Sequence, residues 1–208
     1  MCSSLPEPSV RDGILGLRQA VQDALSRATG STPVVLIDGP SGAGKSSLAD
    51  LLASHWPGAG EPRLIRMDDL YPGWSGLDAG SDSVGADLLA PLRRGEAGFW
   101  RPWNWATDAL GETEVVSAGA PLIVEGCGTL SRRNSPLADL RVWLDADDIL
   151  RKDRALARDG VVFETHWDQW QHDFERYVDR ERPRDNADLV LDVTTWPLGV
   201  RAATPEQD

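Results

Sequence analysis

Residues 33–38, PVVLID, form a short apolar run, and the bend GPSGAGKS follows it without a break. The chain then continues as an amphipathic pattern, with Leu48, Leu51 and Leu52 on one side of a helix predicted over 45–55. A run of this kind, apolar at every position, is the pattern of a strand buried on both faces, which occurs in parallel sheets covered by helices. The eight residues Gly39-Pro-Ser-Gly-Ala-Gly-Lys45-Ser46 satisfy G-x-x-x-x-G-K-[ST], in the strand–bend–helix setting that this motif requires.

The rest of the chain agrees with such a sheet. Spaced apolar residues Ile14, Leu17, Val21 and Leu25 predict an amphipathic helix over 10–28 that stops at Gly30. Further short apolar runs at 62–67, 122–125, 140–144 and 189–193 read as strands, with helical patterns at 146–158 and 163–181. Strands alternating with helices imply crossover connections, and so one α/β domain with a parallel sheet of about five strands. The Gly-, Asp- and Ser-rich stretch 68–85 reads as a functional loop, and 86–94 as a short helix. Residues 99–105 and 112–117 are expected to form a hairpin-like excursion. The organisation expected is an N-terminal helix (1–32) packed on a core domain (33–196), with an acceptor-site excursion at 68–118. A lid at 146–162 and a frayed tail at 197–208 complete it.

In the bend, glycines let successive N–H groups turn into one concavity that binds phosphate oxygens, and the helix start adds its partial positive charge. Gly39, Ser41, Gly42, Ala43, Gly44, Lys45, Ser46 and Ser47 are therefore the candidate nucleotide-binding residues. Lys45 is suited to the terminal phosphates of a nucleoside triphosphate and the Ser46 hydroxyl to Mg²⁺. Lys45 is one of only two lysines in the chain and is expected to be exposed in the empty site.

Composition excludes several partners. A net charge of −12 argues against nucleic acid or an anionic membrane surface, which need a basic face. No run approaches the ~18 apolar residues of a membrane span. The start MCSSLPEPSVRDG has neither the basic nor the apolar segment of a secretory signal. With only Cys2 and Cys127 as thiols, a reducing cytoplasm is the compartment expected. His55, His166 and His172 have no metal-ligand spacing and read as surface or packing residues.

The second strand ends in RLIRMDDLYPGW, which places Asp68 and Asp69 at its carboxyl end, where open parallel sheets hold their ligands. A carboxylate there can accept the proton of a hydroxyl that attacks a γ-phosphate; a solvated turn is the alternative. Two further strand ends, LIVEG and RVWLD, offer Glu125 and Asp145 as the acidic residue on the Mg²⁺ side, and periodicity does not choose between them.

The segments IDGPSGAGKSS, MDDLYPGW, PLIVEGCGTL, RVWLDADDILRKDRALARDG and ADLVLD resemble, in order, the uridine kinase and phosphoribulokinase family of P-loop kinases. The resemblance spans residues 34–192 and is nearest to the uridine-kinase-like members. It implies transfer of the γ-phosphate of ATP to a hydroxyl of a small metabolite, most readily a nucleoside such as uridine or cytidine. It also implies Asp68 as the base, Tyr71 lining the acceptor site, and Glu125 rather than Asp145 on the metal side, with Asp145 then capping the next helix. Arg151, Arg154 and Arg158 share a helix face at i, i+3, i+7. They form either a solvated stripe or, as the resemblance implies for Arg154 and Arg158, catalytic arginines of a lid. The family's R-G-R continuation is replaced here by Arg158-Asp159-Gly160 followed by VVFETHWDQW, which alters the lid.

The acceptor side departs further, with GSDSVGAD and FWRPWNWATD in place of the family's segments. Asp82 can hold vicinal hydroxyls, and Trp103 and Trp105 can stack on a flat ring or else pack the excursion onto the sheet. Arg66, Arg93, Arg94 and Arg101 keep a nucleoside monophosphate open as acceptor. A regulatory nucleotide-binding switch without a metabolite substrate is the reading from another class.

Overall fold

The computed structural model describes residues 10–28 and 32–196. Cys2, the helix stop at Gly30 and the 197–208 tail lie outside the described residues. Five parallel strands form one sheet in the order β2 (Arg63–Arg66), β7 (Leu122–Glu125), β1 (Val34–Asp38), β8 (Leu140–Asp145) and β9 (Leu189–Asp192). The strand that feeds the glycine bend is therefore central, which is why every residue in it is buried.

Side chains of β1 alternate between two cores, as strand geometry requires. Val34 and Leu36 face one cluster with Ile65, Val124, Leu88, Phe174 and Tyr177. Val35 and Ile37 face the other, with Leu17 and Val21 of α1 (Val10–Arg27), Leu48 and Leu52 of α2 (Lys45–Ser54), and Val142 and Leu144 of β8. Each buried aliphatic side chain contributes roughly 1.5–3 kcal/mol relative to exposure, so both faces hold β1 in place.

Three features correct or refine the reading of the sequence. The stretch 68–85 is a loop only in its first half: a 3₁₀ turn, Met67–Asp69, leads to α3 (Leu77–Ser83), a π-helical turn (Val84–Leu89) and α4 (Ala90–Arg93). Two of its glycines are contact points here: a Cβ on Gly80 would lie 2.9 Å from the Tyr71 ring, and one on Gly85 2.0 Å from Oδ1 of Asn134. The excursion is a pair of antiparallel ribbons, β3 (Gly98–Trp100) with β6 (Glu114–Val116) and β4 (Trp103–Asn104) with β5 (Ala109–Leu110). The two helical patterns after β8 join into α5 (Asp148–Glu181), broken at Gly160, whose φ of 68° and ψ of −157° are non-helical. Asp147, not Asp145, caps α5, accepting the N–H of Leu150 at 3.0 Å.

Among the described residues no helix is long and apolar enough to cross a membrane.

Candidate active site

The carboxyl ends of β2, β7 and β1 converge on the glycine bend. Gly42 has a φ of 80°, and a Cβ there would lie 1.8 Å from the carbonyl oxygen of Arg151, so α5 rests directly on the loop backbone. Gly44, at φ 85°, turns the chain into α2 and leaves Ser46 and Ser47 in its first turn. Ala43 is buried under the loop, and its N–H returns to the carbonyl of Pro40 at 3.2 Å. The Ser41 hydroxyl accepts the indole N–H of Trp170 from α5 at 2.9 Å.

Lys45 is buried, at 8% exposure, contrary to the expectation of an exposed ammonium. Its Nζ donates to the carbonyls of Gly39 at 2.8 Å and Pro40 at 2.9 Å, and lies 3.6 Å from Sγ of Cys127. Burial pushes the Cys127 thiol up, and it donates to the carbonyl of Gly39 at 3.3 Å. The thiol is thus neutral and bonded inward, and it does not line the cavity beside the loop.

Asp38, the last residue of β1, carries a role that the sequence did not signal. It is fully buried and accepts four donors: the N–H groups of Gly39 (2.7 Å), Gly128 (3.2 Å) and Leu130 (2.8 Å), and the Tyr177 hydroxyl (2.7 Å). Burial raises its pKa, and the N–H of Leu130 and the hydroxyl of Tyr177 oppose that rise. A terminal aspartate in an apolar strand looks like a turn residue, so only the three-dimensional donor set reveals it.

Glu125 at the end of β7 pairs in register with Ile37 of β1 and Arg66 of β2. It is 2% exposed, and its Oε1 has no hydrogen-bond partner, its ion-pair partner Nε of Arg66 standing 3.5 Å away. Burial first, and the neighbouring Asp68 second, push its pKa up to about 7, while Lys45, the Ser46 hydroxyl and Arg66 hold it down. An orphaned carboxylate oxygen near a serine hydroxyl suits a hard, oxygen-ligated cation such as Mg²⁺. Asp145 is engaged elsewhere, accepting from the Trp143 indole and from Nε of Arg184 at 2.9 Å. Among the described residues no cluster of three or more His, Cys, Asp or Glu is arranged to hold a metal; Mg²⁺ sites commonly need only one or two carboxylates plus substrate phosphates.

A cavity of about 170 Å³ opens beside the loop, lined by Ser41, Asp68, Tyr71, Trp74, Trp105, Arg158, Asp159, Phe163 and Trp170. Asp68 is exposed there, on the 3₁₀ turn after β2. Asp69, its neighbour, is exposed but does not line the cavity; partial desolvation and then repulsion from Asp68 raise its pKa. Tyr71 is buried and donates to the carbonyl of Cys127 at 2.7 Å, with burial holding its phenol neutral. Trp105, 42% exposed, donates to the carbonyl of Asp68 at 3.0 Å and leans on Trp74, ring centroids 4.9 Å apart. Trp74 stacks in turn on Phe163 and His166. Trp74, Phe163 and Trp170 entered no functional reading of the sequence; aromatic residues at helical or loop positions look like ordinary core.

The structure separates other sequence candidates from this cavity. Arg154 points to the carbonyls after β9, with Nη2 3.4 Å from Thr194 and 3.2 Å from Trp196, because long side chains diverge even from a shared helix face. Arg151 is buried against Asp148 and Gln171, and Arg158 alone of the three faces the cavity. Asp82 stands 74% exposed in a separate cleft, 3.7 Å from Arg133. Trp103, on β4, does not line the cavity. A larger hollow of about 520 Å³, between α3–α4 and the ribbons, is lined mainly by apolar residues; of the sequence candidates only Arg101 lines it.

No protein-family model matches the chain, and no curated protein sequence matches it. Solved structures do. A possible uridine kinase from Bacillus stearothermophilus superposes with a TM-score of 0.63 at 20% identity, over 88% of this chain and 99% of that one. A candidate fructose transport system kinase from Silicibacter sp. TM1040 gives 0.54 at 17% identity, over 86% and 98%. The YGR205w protein gives 0.53 at 11% identity, over 91% and 95%. At these identities the likeness carries the fold: the chain has the α/β architecture of P-loop kinases, a five-stranded parallel sheet flanked by helices, and is structurally similar to uridine-kinase-like members.

Proposed function

We propose that this protein is an ATP-dependent kinase that transfers the γ-phosphate to a hydroxyl of a small, ring-bearing metabolite, with a nucleoside as the first class to test. The observation that carries this reading is the single cavity with a P-loop residue, Ser41, on one wall and the carboxylate of Asp68 on another. An acceptor seated between them would have its hydroxyl beside a base and its path open to the phosphate site. Aromatic walls from Tyr71, Trp74, Trp105 and Trp170 suit a flat or ring-shaped body.

In this proposal the loop 39–47 holds the phosphates and Lys45 leaves its two carbonyls to reach them. Asp68 accepts the acceptor's proton, and Arg158 offsets charge on the transferring group. Ser46 and Glu125 would hold Mg²⁺, which supplies charge neutralisation at the phosphates.

A nucleoside monophosphate is the weaker alternative. Arg66 pairs with Asp50 and Glu125, Arg93 with Asp139 and Arg94 with Glu96, while Arg101 bonds the carbonyls of Leu110 and Gly111. Of the described arginines only Arg158 lines the cavity, which leaves little to receive a second phosphate. The test is ADP release from ATP·Mg²⁺ across a panel of nucleosides, monosaccharides and nucleoside monophosphates. Acceptor-dependent ADP release supports the kinase. Tight ATP binding without turnover on any panel member would favour the regulatory switch.

A further inference from the structure

Arg158 faces the cavity already engaged. Its Nε donates to Oδ1 of Asp159 at 2.7 Å and its Nη2 to Oδ2 at 2.7 Å, a two-pronged pair with the next residue in the chain. This pairing raises the Arg158 pKa, and the more distant Asp68 and Glu125 add to the same effect. Both members of the pair line the same cavity as Ser41 of the phosphate loop and Asp68. Adjacent residues on a continuous helix diverge by about 100°, and the forked Arg158–Asp159 pair stands beside a break in that helix. Gly160, next in sequence, breaks α5 in a conformation open only to glycine, with no atom within 4 Å of the space where a Cβ would stand.

We propose that Asp159 is a positioning residue that holds Arg158 in reserve, its carboxylate filling the forked site that a phosphate group takes over when nucleotide binds. The inference rests on the kinase reading above and adds a regulation of that site. A guanidinium binds carboxylate and phosphate by the same fork, so the two compete for one set of donors. Arg158 then turns toward the phosphates only when an anion strong enough to displace Asp159 arrives, and the unhindered glycine beside it absorbs the backbone change. The pair is itself part-exposed, with side chains 40% and 33% accessible, so it adds little to stability, and a change in ligand affinity on breaking it reports the competition for the guanidinium.

Calorimetric titration of the full chain with ATP·Mg²⁺ and with adenosine tests this without an acceptor. Asp159→Asn is expected to tighten ATP·Mg²⁺ by about tenfold, the scale of one charge-assisted interaction, and to leave adenosine unchanged. Asp159→Glu should stay near wild type. In an Arg158→Ala background, Asp159→Asn should change nothing. Equal ATP affinity in wild type and Asp159→Asn overturns the proposal, and so does equal tightening of adenosine. Tightening that persists without Arg158 also overturns it, because the aspartate would then act only by repelling phosphate. Should Asp159→Asn fold poorly by circular dichroism, Asp159→Ser carries the same comparison. A wild-type chain that binds no ATP·Mg²⁺ at all would instead sink the kinase reading itself.

Discussion

The carboxylate of Asp38 and the hydroxyl of Tyr177 meet at 2.7 Å, although 139 residues separate them in the chain. The contact ties the last residue of β1, from which the phosphate loop springs, to the second half of α5, whose first half rests on that loop. The N–H groups of Gly128 and Leu130 bind the same carboxylate, so the segment that follows Glu125 is fixed to it as well. Geometry of the glycine loop, of the segment after Glu125 and of α5 thus depends on one buried carboxylate.

Tyr177→Phe removes one donor of the four and leaves the three backbone donors. Hydrogen bonds to charged groups contribute about 1.5–3 kcal/mol, so a loss of that size is expected in urea unfolding. Asp38→Ala strands all four donors in a buried place and should cost roughly 4 kcal/mol or more. Comparison with the Tyr177→Phe/Asp38→Ala double variant isolates the pair. If Asp38→Ala unfolds like wild type, the anion does not organise the site.

Lys45→Ala is expected to impair both binding and fold, because the ammonium is buried between two carbonyls rather than waiting in solvent. Loss of their donor should lower stability by about 1–3 kcal/mol. ATP·Mg²⁺ affinity should fall while adenosine affinity holds, since only the phosphates meet Lys45. Calorimetry with both ligands, beside urea unfolding, separates the two effects. Unchanged stability would mean that the inward bonds are not maintained in solution.

Glu125 gives the site a pH signature. Its folded pKa, about 7, lies above the ordinary 4.5, so between those values the folded chain binds more protons than the unfolded one. Stability contributed by neutral, buried Glu125 is therefore complete below about pH 4.5 and is lost as pH rises through 7. Mg²⁺ needs the carboxylate, so its binding should release a proton near neutrality and weaken about tenfold per pH unit below 7. Titrations in buffers of different ionisation heat measure the released proton, and Glu125→Gln should abolish both trends. A pH-independent Mg²⁺ affinity between 6 and 8 would remove Glu125 from the metal site.

Strand positions and the glycine bend were legible in the sequence because each follows from local rules: apolar runs of strand length, and glycines before a lysine. The helix α3 and the π-helical turn after it were not, since Gly80 and Gly85 read as breakers while in the fold they let Tyr71 and Asn134 approach. Arg154 and Asp82 illustrate a second limit. Spacing fixes the direction in which a side chain leaves the backbone, but a partner several ångströms away decides where its charge ends, here the carbonyls of Thr194 and Trp196 for one and Arg133 for the other. Asp38 shows a third, because a buried carboxylate is recognised by its donors and these come from residues 39, 128, 130 and 177.

Asp68 decides between a kinase and a nucleotide binder without an acceptor. It is exposed in the cavity that Ser41 also lines, and Trp105 fixes its backbone through the carbonyl. A sugar-type hydroxyl is a poor nucleophile while protonated, and general-base assistance typically contributes ~10²–10⁴-fold in rate. Asn has the size of Asp but lacks its basicity, so Asp68→Asn should lower kcat by about that factor. ATP·Mg²⁺ binding should persist, because in the proposed site the loop 39–47 holds the phosphates without Asp68. Asp69→Asn should change kcat little, since Asp69 leaves the same turn without reaching the cavity. Steady-state kinetics on the responding acceptor, with nucleotide titration of both variants, distinguish the cases. A dead Asp69→Asn with an active Asp68→Asn would move the base by one residue, and full activity in both would leave the proposed transfer without a base.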